Sequence, residues 1–392
     1  MFTLHIVAVS SWSSRLGYAI VREFADDYDA FHRGLNVFLV AKNNSNAPKH
    51  LDCVSFSPEN ILQNKENSCF NLVLRARLKF LSLFLLILCL FASFFSLVIP
   101  LKLVVWQPRP YWILNKRHVS ILNMFGPRLT FIQKFCGDGF LQLCLSDSPP
   151  WLRKSKKHNS VSPEFLKNSI YYYMYSIQSL SKESCPSLDL SNYSVIRLSP
   201  ETVNSSLERA CNSLSNSQNL NTFISDLSSA IHGYSPNEIV IFPTTTFYET
   251  RRSTLSSEIL LYKSFLENNN YILPGTPIFF KPHPNSKYEK ISELIALSKC
   301  IHDGHFADIL SKYTSLITHL PLEVLAEFIQ NAYNCQLNIV LASTAGVSLS
   351  ILRPKFKYIP AFGTKLIHQH LVPEYVDSRI DQEELIVNFL NQ

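Results

Sequence analysis

The chemistry-bearing stretch of this sequence is Ile278-Phe279-Phe280-Lys281-Pro282-His283-Pro284-Asn285-Ser286-Lys287. Three apolar residues read as the end of a buried strand, and two prolines then force the chain out of it. Residues before proline are pushed out of the α region, so Lys281 and His283 are both presented on stiff backbone. In an α/β sheet the carboxyl ends of strands are where ligands bind. An imidazole there can donate a proton or a hydrogen bond to a departing anionic group.

Downstream, Ser343-Thr344-Ala345-Gly346 follows the apolar run Asn338 to Ala342. Two hydroxyls beside the free amides of a helix start suit a phosphate. An ordinary N-cap explains one hydroxyl but not the second. Glu323, behind Pro321 at another helix start, could accept a hydrogen bond from a ribose, or it serves only as a favourable charge at the helix dipole. Upstream, Arg128 to Phe135 reads as a strand ending in Cys136-Gly137-Asp138-Gly139. Glycines on either side let the backbone turn sharply and leave a carboxylate at the strand end, where it could take a proton from an acceptor hydroxyl.

The elements that must position these residues have an α/β rhythm. Met1 to Val9 reads as a first strand, too short for a secretory signal, then a helix near Leu16 to Phe24 and a strand at Leu35 to Ala41. The second half repeats the pattern with strands at 238–243, 277–281, 338–342 and 356–360 and helices near 256–267, 290–297, 320–328 and from Ser343. The expected fold class is therefore α/β, with two Rossmann-like domains facing across a cleft. We assign 1–177, with the apolar segment 80–101, to an N-terminal acceptor-side domain, 178–235 to a Ser/Asn-rich link, and 236–392 to a C-terminal nucleotide-binding domain.

Phe80 to Leu101 carries no charge and has the length of a bilayer span, preceded by Arg75, Arg77 and Lys79. A true span would separate the first two strands from the rest of their sheet, and basic residues at both ends set no orientation. The preferred reading is a very apolar helix packed on the sheet, able to touch a membrane face; a span stays open.

With 392 residues, a net charge of +6, 17% charged and 46% hydrophobic residues, the composition is globular. The weak basic balance suits an anionic substrate or a membrane surface and gives no reason to expect nucleic acid. Nine cysteines without a C-x-x-C pair read as reduced thiols of a cytoplasmic protein, one that the apolar helix could hold peripherally on the inner membrane face, and the sequons at Asn43, Asn192 and Asn204 carry little weight. Trp151 to His158 is a basic run, either a solvated face or a contact for acidic lipid or an anionic acceptor. The Asp-x-Asp at Asp27 and Asp29 ends a helix rather than a strand, and His302-Asp303-Gly304-His305, His368 and His370 have no partner at ligand spacing, so no metal site is expected.

The order Gly137-Asp138-Gly139, Lys281-Pro282-His283-Pro284, Pro321-x-Glu323, Ser343-Thr344 resembles the bacterial sialyltransferases, in particular the polysialyltransferase and lipooligosaccharide sialyltransferase families. Gly137 stands where those families have their first acidic residue. The resemblance implies a GT-B fold, a CMP-sialic acid donor, a glycan or glycolipid acceptor at the cell surface, and an inverting transfer with no metal or other cofactor. It also implies roles: Asp138 as general base and His283 as general acid, with Ser343 and Thr344 on the phosphate. Lys281 and Pro284 would assist at the donor, and Glu323 would face the cytidine ribose. Two other readings stay open: a GT-B enzyme with a UDP- or CDP-linked donor, and a membrane-associated binding protein without activity.

Overall fold

The computed structural model describes residues 2–9, 35–41, 71–107, 113–114, 116–124, 128–136, 169–173, 194–197, 201, 204–205, 208, 218–230, 237–301 and 306–390. These form two compact units, the described residues up to Glu208 in one and those from Gln218 on in the other.

The first unit is built on seven strands: β1 (Phe2–Val9), β2 (Leu35–Ala41), β3 (Asn71–Ala76), β4 (Leu101–Gln107), β5 (Leu129–Cys136), β6 (Ser169–Tyr173) and β7 (Ser194–Arg197). Their order is β3-β2-β1-β4-β5-β6-β7 and all neighbours are parallel. That is a doubly wound sheet, with its order reversing between β1 and β4. The Ser/Asn-rich stretch 178–235 contributes β7 to this sheet and a helix, α3 (Gln218–Ser229), to the other unit.

Helix α1 (Leu78–Ser96) crosses from β3 to β4 and packs on the sheet and on α2 (Lys116–Met124). Its inward stripe Leu81, Leu85, Cys89 and Ala92 joins Ile6, Leu39, Leu103 and Val105 in one buried cluster. Spacings of three and four residues place that stripe on one face. Pro100 then separates the helix from β4, which starts at Leu101. Because β3 and β4 belong to one sheet, α1 is a crossover helix, as the preferred sequence reading has it. It is also the one described helix long and apolar enough to cross a membrane, over Lys79–Ser96.

The second unit has four parallel strands: β8 (Glu238–Pro243), β9 (Ile278–Lys281), β10 (Gln336–Val340) and β11 (Lys357–Ile359), in the order β11-β10-β8-β9. Strands β8, β9 and β10 are buried almost throughout, which is why they read as unbroken apolar runs. Helices α4 (Leu255–Asn268), α5 (Tyr288–Cys300), α6 (Ala307–Lys312), α7 (Thr314–His319), α8 (Leu322–Tyr333) and α9 (Thr344–Leu352) connect them. Two more, α10 (Gly363–His370) and α11 (Pro373–Leu390), follow β11 and were not legible as elements in the sequence. The helix expected near 16–24, the basic run 151–158 and the motif at 302–305 lie outside the described residues.

Candidate functional site

The chain leaves β8, climbs α4 and returns as β9 on one side; β10 pairs on the other side. Order therefore reverses at β8, and the carboxyl ends of β8, β9 and β10 bound the position where an open α/β sheet takes its ligand. Pro243 pairs with Lys281, and Ile241 with Ile339. His283 and Ser343 therefore follow the carboxyl ends of the two strands that flank β8, β9 on one side and β10 on the other.

The His283 turn is fixed by its own backbone. Thr244 N donates to Lys281 O at 2.9 Å, His283 N donates to Thr244 Oγ1 at 3.1 Å, and Ser286 N closes the turn onto His283 O at 2.8 Å. Pro284 sits just after the histidine, where a fixed φ favours such a turn. The imidazole is oriented too: Asn285 N donates to Nδ1 at 3.1 Å. Nδ1 is then the acceptor of a neutral ring, and Nε2 carries the proton. Burial, with the charges of Lys281 and Lys290 adding to it, pushes the His283 pKa down to about 4. Near pH 7 the ring is thus a hydrogen-bond donor through Nε2, not an imidazolium with a proton to transfer.

Lys281 is buried, and its ammonium donates to Pro282 O and to Thr318 O, each at 2.9 Å. It ties the histidine turn to the end of α7, immediately before Pro321 and the first turn of α8 that carries Glu323. Burial pushes the Lys281 pKa down to about 7, with the Glu323 carboxylate pulling the other way. Sequence reasoning assigned Lys281 to the donor; its geometry is that of a positioning residue beneath His283.

Ser343 is the N-cap of α9 with extended backbone, yet its side chain makes no capping bond. Gly346 N already donates to Ser343 O at 3.1 Å, so what this helix start offers an anion is the Ser343 hydroxyl and the amides before Gly346. Thr344 is the first residue of that helix. Gly346 is closely packed: a Cβ there would meet Leu341 Cδ2 at 2.9 Å and Val340 O at 3.4 Å, so the Leu341 side chain would have to move. The Ala342 carbonyl just before Ser343 is held by Arg379 Nη2 at 3.1 Å, and Arg379 is clamped in turn by Glu383. Asp138, with Gly137 and Gly139, lies outside the described residues; β5 ends two residues before it.

Beneath the β8 loop lies a polar network that motif reading missed. Lys290 Nζ reaches Glu258 Oε1 at 2.7 Å, Thr245 O at 2.7 Å and Glu249 Oε2 at 3.3 Å. Glu258 also accepts from Thr245 Oγ1 at 2.6 Å, Tyr248 N at 2.7 Å and the Tyr262 hydroxyl. Burial opposes the Glu258 charge, but Lys290 and these donors win, and its pKa is lowered. Glu249 Oε1 accepts from Lys287 N at the start of α5. The network locks residues 244–249 and α5 together and so sets the His283 turn from both sides. A signal was present: Glu258 shares its helix face with Leu261, Tyr262 and Phe265, and Lys290 shares one with Ile291, Leu294 and Leu297. Charges on apolar faces are paired when buried.

Two parallel α/β sheets of this order define a GT-B-like, Rossmann-type fold. Solved structures share that fold. The chain matches the crystal structure of an α/β-galactoside α-2,3-sialyltransferase from the luminous marine bacterium Photobacterium phosphoreum over 91% of this chain and 90% of that one, with a TM-score of 0.51 and 10% identity. A UDP-GlcNAc 2-epimerase from Methanocaldococcus jannaschii matches 94% of this chain and 91% of its own, with a TM-score of 0.45 and 10% identity. No family model and no curated protein matches the sequence.

Proposed function

We propose that this chain is a glycosyltransferase that passes sialic acid from a CMP-linked donor to a hydroxyl of a glycan or glycolipid. The observation that carries the reading is the His283 turn: a neutral imidazole with Nδ1 fixed by Asn285 N, so that Nε2–H is the ring's remaining donor. The Ser343 hydroxyl, which makes no capping bond and follows β10 on the other side of β8, supports it, as does the fold likeness to a sialyltransferase.

In this mechanism the acceptor oxygen forms a bond to the anomeric carbon as the bond from that carbon to the phosphate oxygen of CMP breaks, with inversion. The acceptor proton passes to Asp138. The leaving phosphate needs charge stabilisation rather than a proton, because its own acidity is high. His283 Nε2–H, the Ser343 and Thr344 positions and the amides before Gly346 at the start of α9 supply it. Glu323 takes the ribose, Pro284 shapes the donor side of the turn, and Lys281 holds that turn from beneath. No step calls for a metal or other cofactor.

The test is release of CMP from CMP-sialic acid by the full chain with a glycan acceptor, beside a parallel incubation with a UDP-linked sugar. Wild-type protein is expected to release CMP, and His283→Ala to do so on the order of a hundredfold more slowly. Turnover of the UDP-sugar alone, or an unchanged rate in His283→Ala, overturns the reading.

A further inference from the structure

Helix α1 has an outer face that its fold does not account for. A crossover helix of a doubly wound sheet buries one face and shows water the other, and the second is ordinarily polar. Here every exposed residue from Phe80 to Pro100 is apolar: Phe80, Leu83, Ile87, Leu90, Phe91, Phe94, Phe95, Leu97, Val98, Ile99 and the proline. Beyond Lys79 in its first turn, the helix's few polar side chains point elsewhere. Ser82 Oγ donates to Ile113 O at 3.2 Å, Ser93 and Ser96 are buried, and His118 of α2 meets Ser82 O at 2.9 Å. The stripe runs the length of a 19-residue helix, about 28 Å. Contiguous apolar surface on that scale marks an interaction site.

Charge identifies the partner. Residues 71–136 contain nine lysines and arginines and no aspartate or glutamate. Arg77 and Lys79 are exposed at the start of α1, Arg117 is exposed on the packed helix α2, and Arg128 is exposed with Nη1 on Val98 O at 3.4 Å, at the far end of the stripe. An apolar stripe collared by cations of one sign fits the boundary between acyl chains and anionic headgroups. A protein partner burying this face would leave the collar to be matched by a second, acidic surface. A span would strip the sheet of its packing, because Leu81, Leu85, Cys89 and Ala92 belong to the core of the sheet that α1 joins.

We propose that α1 is an in-plane membrane anchor, its outer face seated in an anionic bilayer while its inner face holds the sheet. The inference is independent of the donor and of the proposed reaction.

Flotation of the full chain on vesicles of phosphatidylethanolamine with phosphatidylglycerol, against vesicles of phosphatidylcholine alone, tests it. Wild-type protein is expected on the anionic vesicles, weakened by high salt and much weaker on neutral ones. Combined Leu83→Gln, Phe91→Gln and Phe94→Gln should lower partitioning on the order of a hundredfold. Combined Arg77→Glu and Lys79→Glu, which leaves the apolar face intact, should lower it roughly thirtyfold. Thermal melting shows that each variant is folded. Equal binding to neutral vesicles, no binding to either, or a dimer in light scattering that the Gln substitutions dissolve would overturn the proposal. So would resistance of the membrane-bound protein to alkaline carbonate, the mark of a span.

Discussion

Helices α1 and α4 hold equivalent places, each carrying the chain from one parallel strand to the next, yet they distribute polarity in opposite ways. Helix α4 puts Glu258 and Tyr262 inside, beneath the β8 loop, and leaves an exposed Lys263–Glu267 pair at 3.8 Å outside. Helix α1, from Phe80 on, is apolar inside and apolar outside. A stable crossover helix needs neither departure. A charge turned inward marks where backbone must be held still, and apolar surface turned outward marks where water is to be replaced. The first departure belongs to the candidate site, the second to a surface.

The inner side of that contrast is where substitutions should cost most. Lys290→Met leaves Glu258 buried without its cation and is expected to cost about 3–5 kcal/mol in urea unfolding. A cost below about 1 kcal/mol would mean the network is ornamental. On α1, Leu85→Ala removes core and should cost about 2–5 kcal/mol, while Leu83→Gln, two residues away on the outer face, should stay within about 0.5 kcal/mol. Equal costs would break the two-faced description of that helix.

How much of this the sequence disclosed follows from the range of the interactions. Strands β8, β9 and β10 and the turns after them could be placed from apolar runs, prolines and Ser343-Thr344, because those are local signals. The topology that sets His283 and Ser343 on either side of β8 depends on pairing between distant strands, which no local pattern carries. The protonation of His283 was likewise out of reach: it depends on Asn285 N at Nδ1 and on two lysines that converge only in the fold. Lys281 looked like a ligand group because a lysine beside a site histidine usually is; its two carbonyl acceptors, one of them from Thr318, are a long-range fact. Arg379 and Glu383 sit on a helix that was not read at all, although they secure the carbonyl before Ser343.

Two smaller effects sharpen the account of the site. Gly346→Ala forces the Leu341 side chain away and should cost about 1–3 kcal/mol, and it should weaken nucleotide binding more than Leu83→Gln does. The pH dependence of stability tests the buried imidazole. With its folded pKa near 4 against an ordinary 6.5, His283 binds fewer protons in the folded state across that interval. Stability should therefore rise with pH between about 4 and 6.5, and His283→Asn should flatten that rise. The same slope in both proteins would show that His283 is not desolvated.

The most direct test of the central claim, a cytidine monophosphate site at the carboxyl ends of β9 and β10, is thermal melting of the full chain with CMP, UDP and GDP in turn. The account predicts that CMP at about a hundred times its dissociation constant raises the Tm by several degrees. UDP and GDP at the same concentration should not, and His283→Ala should lose the CMP shift while melting normally without nucleotide. A shift with UDP in place of CMP, or none with any nucleotide, would contradict it.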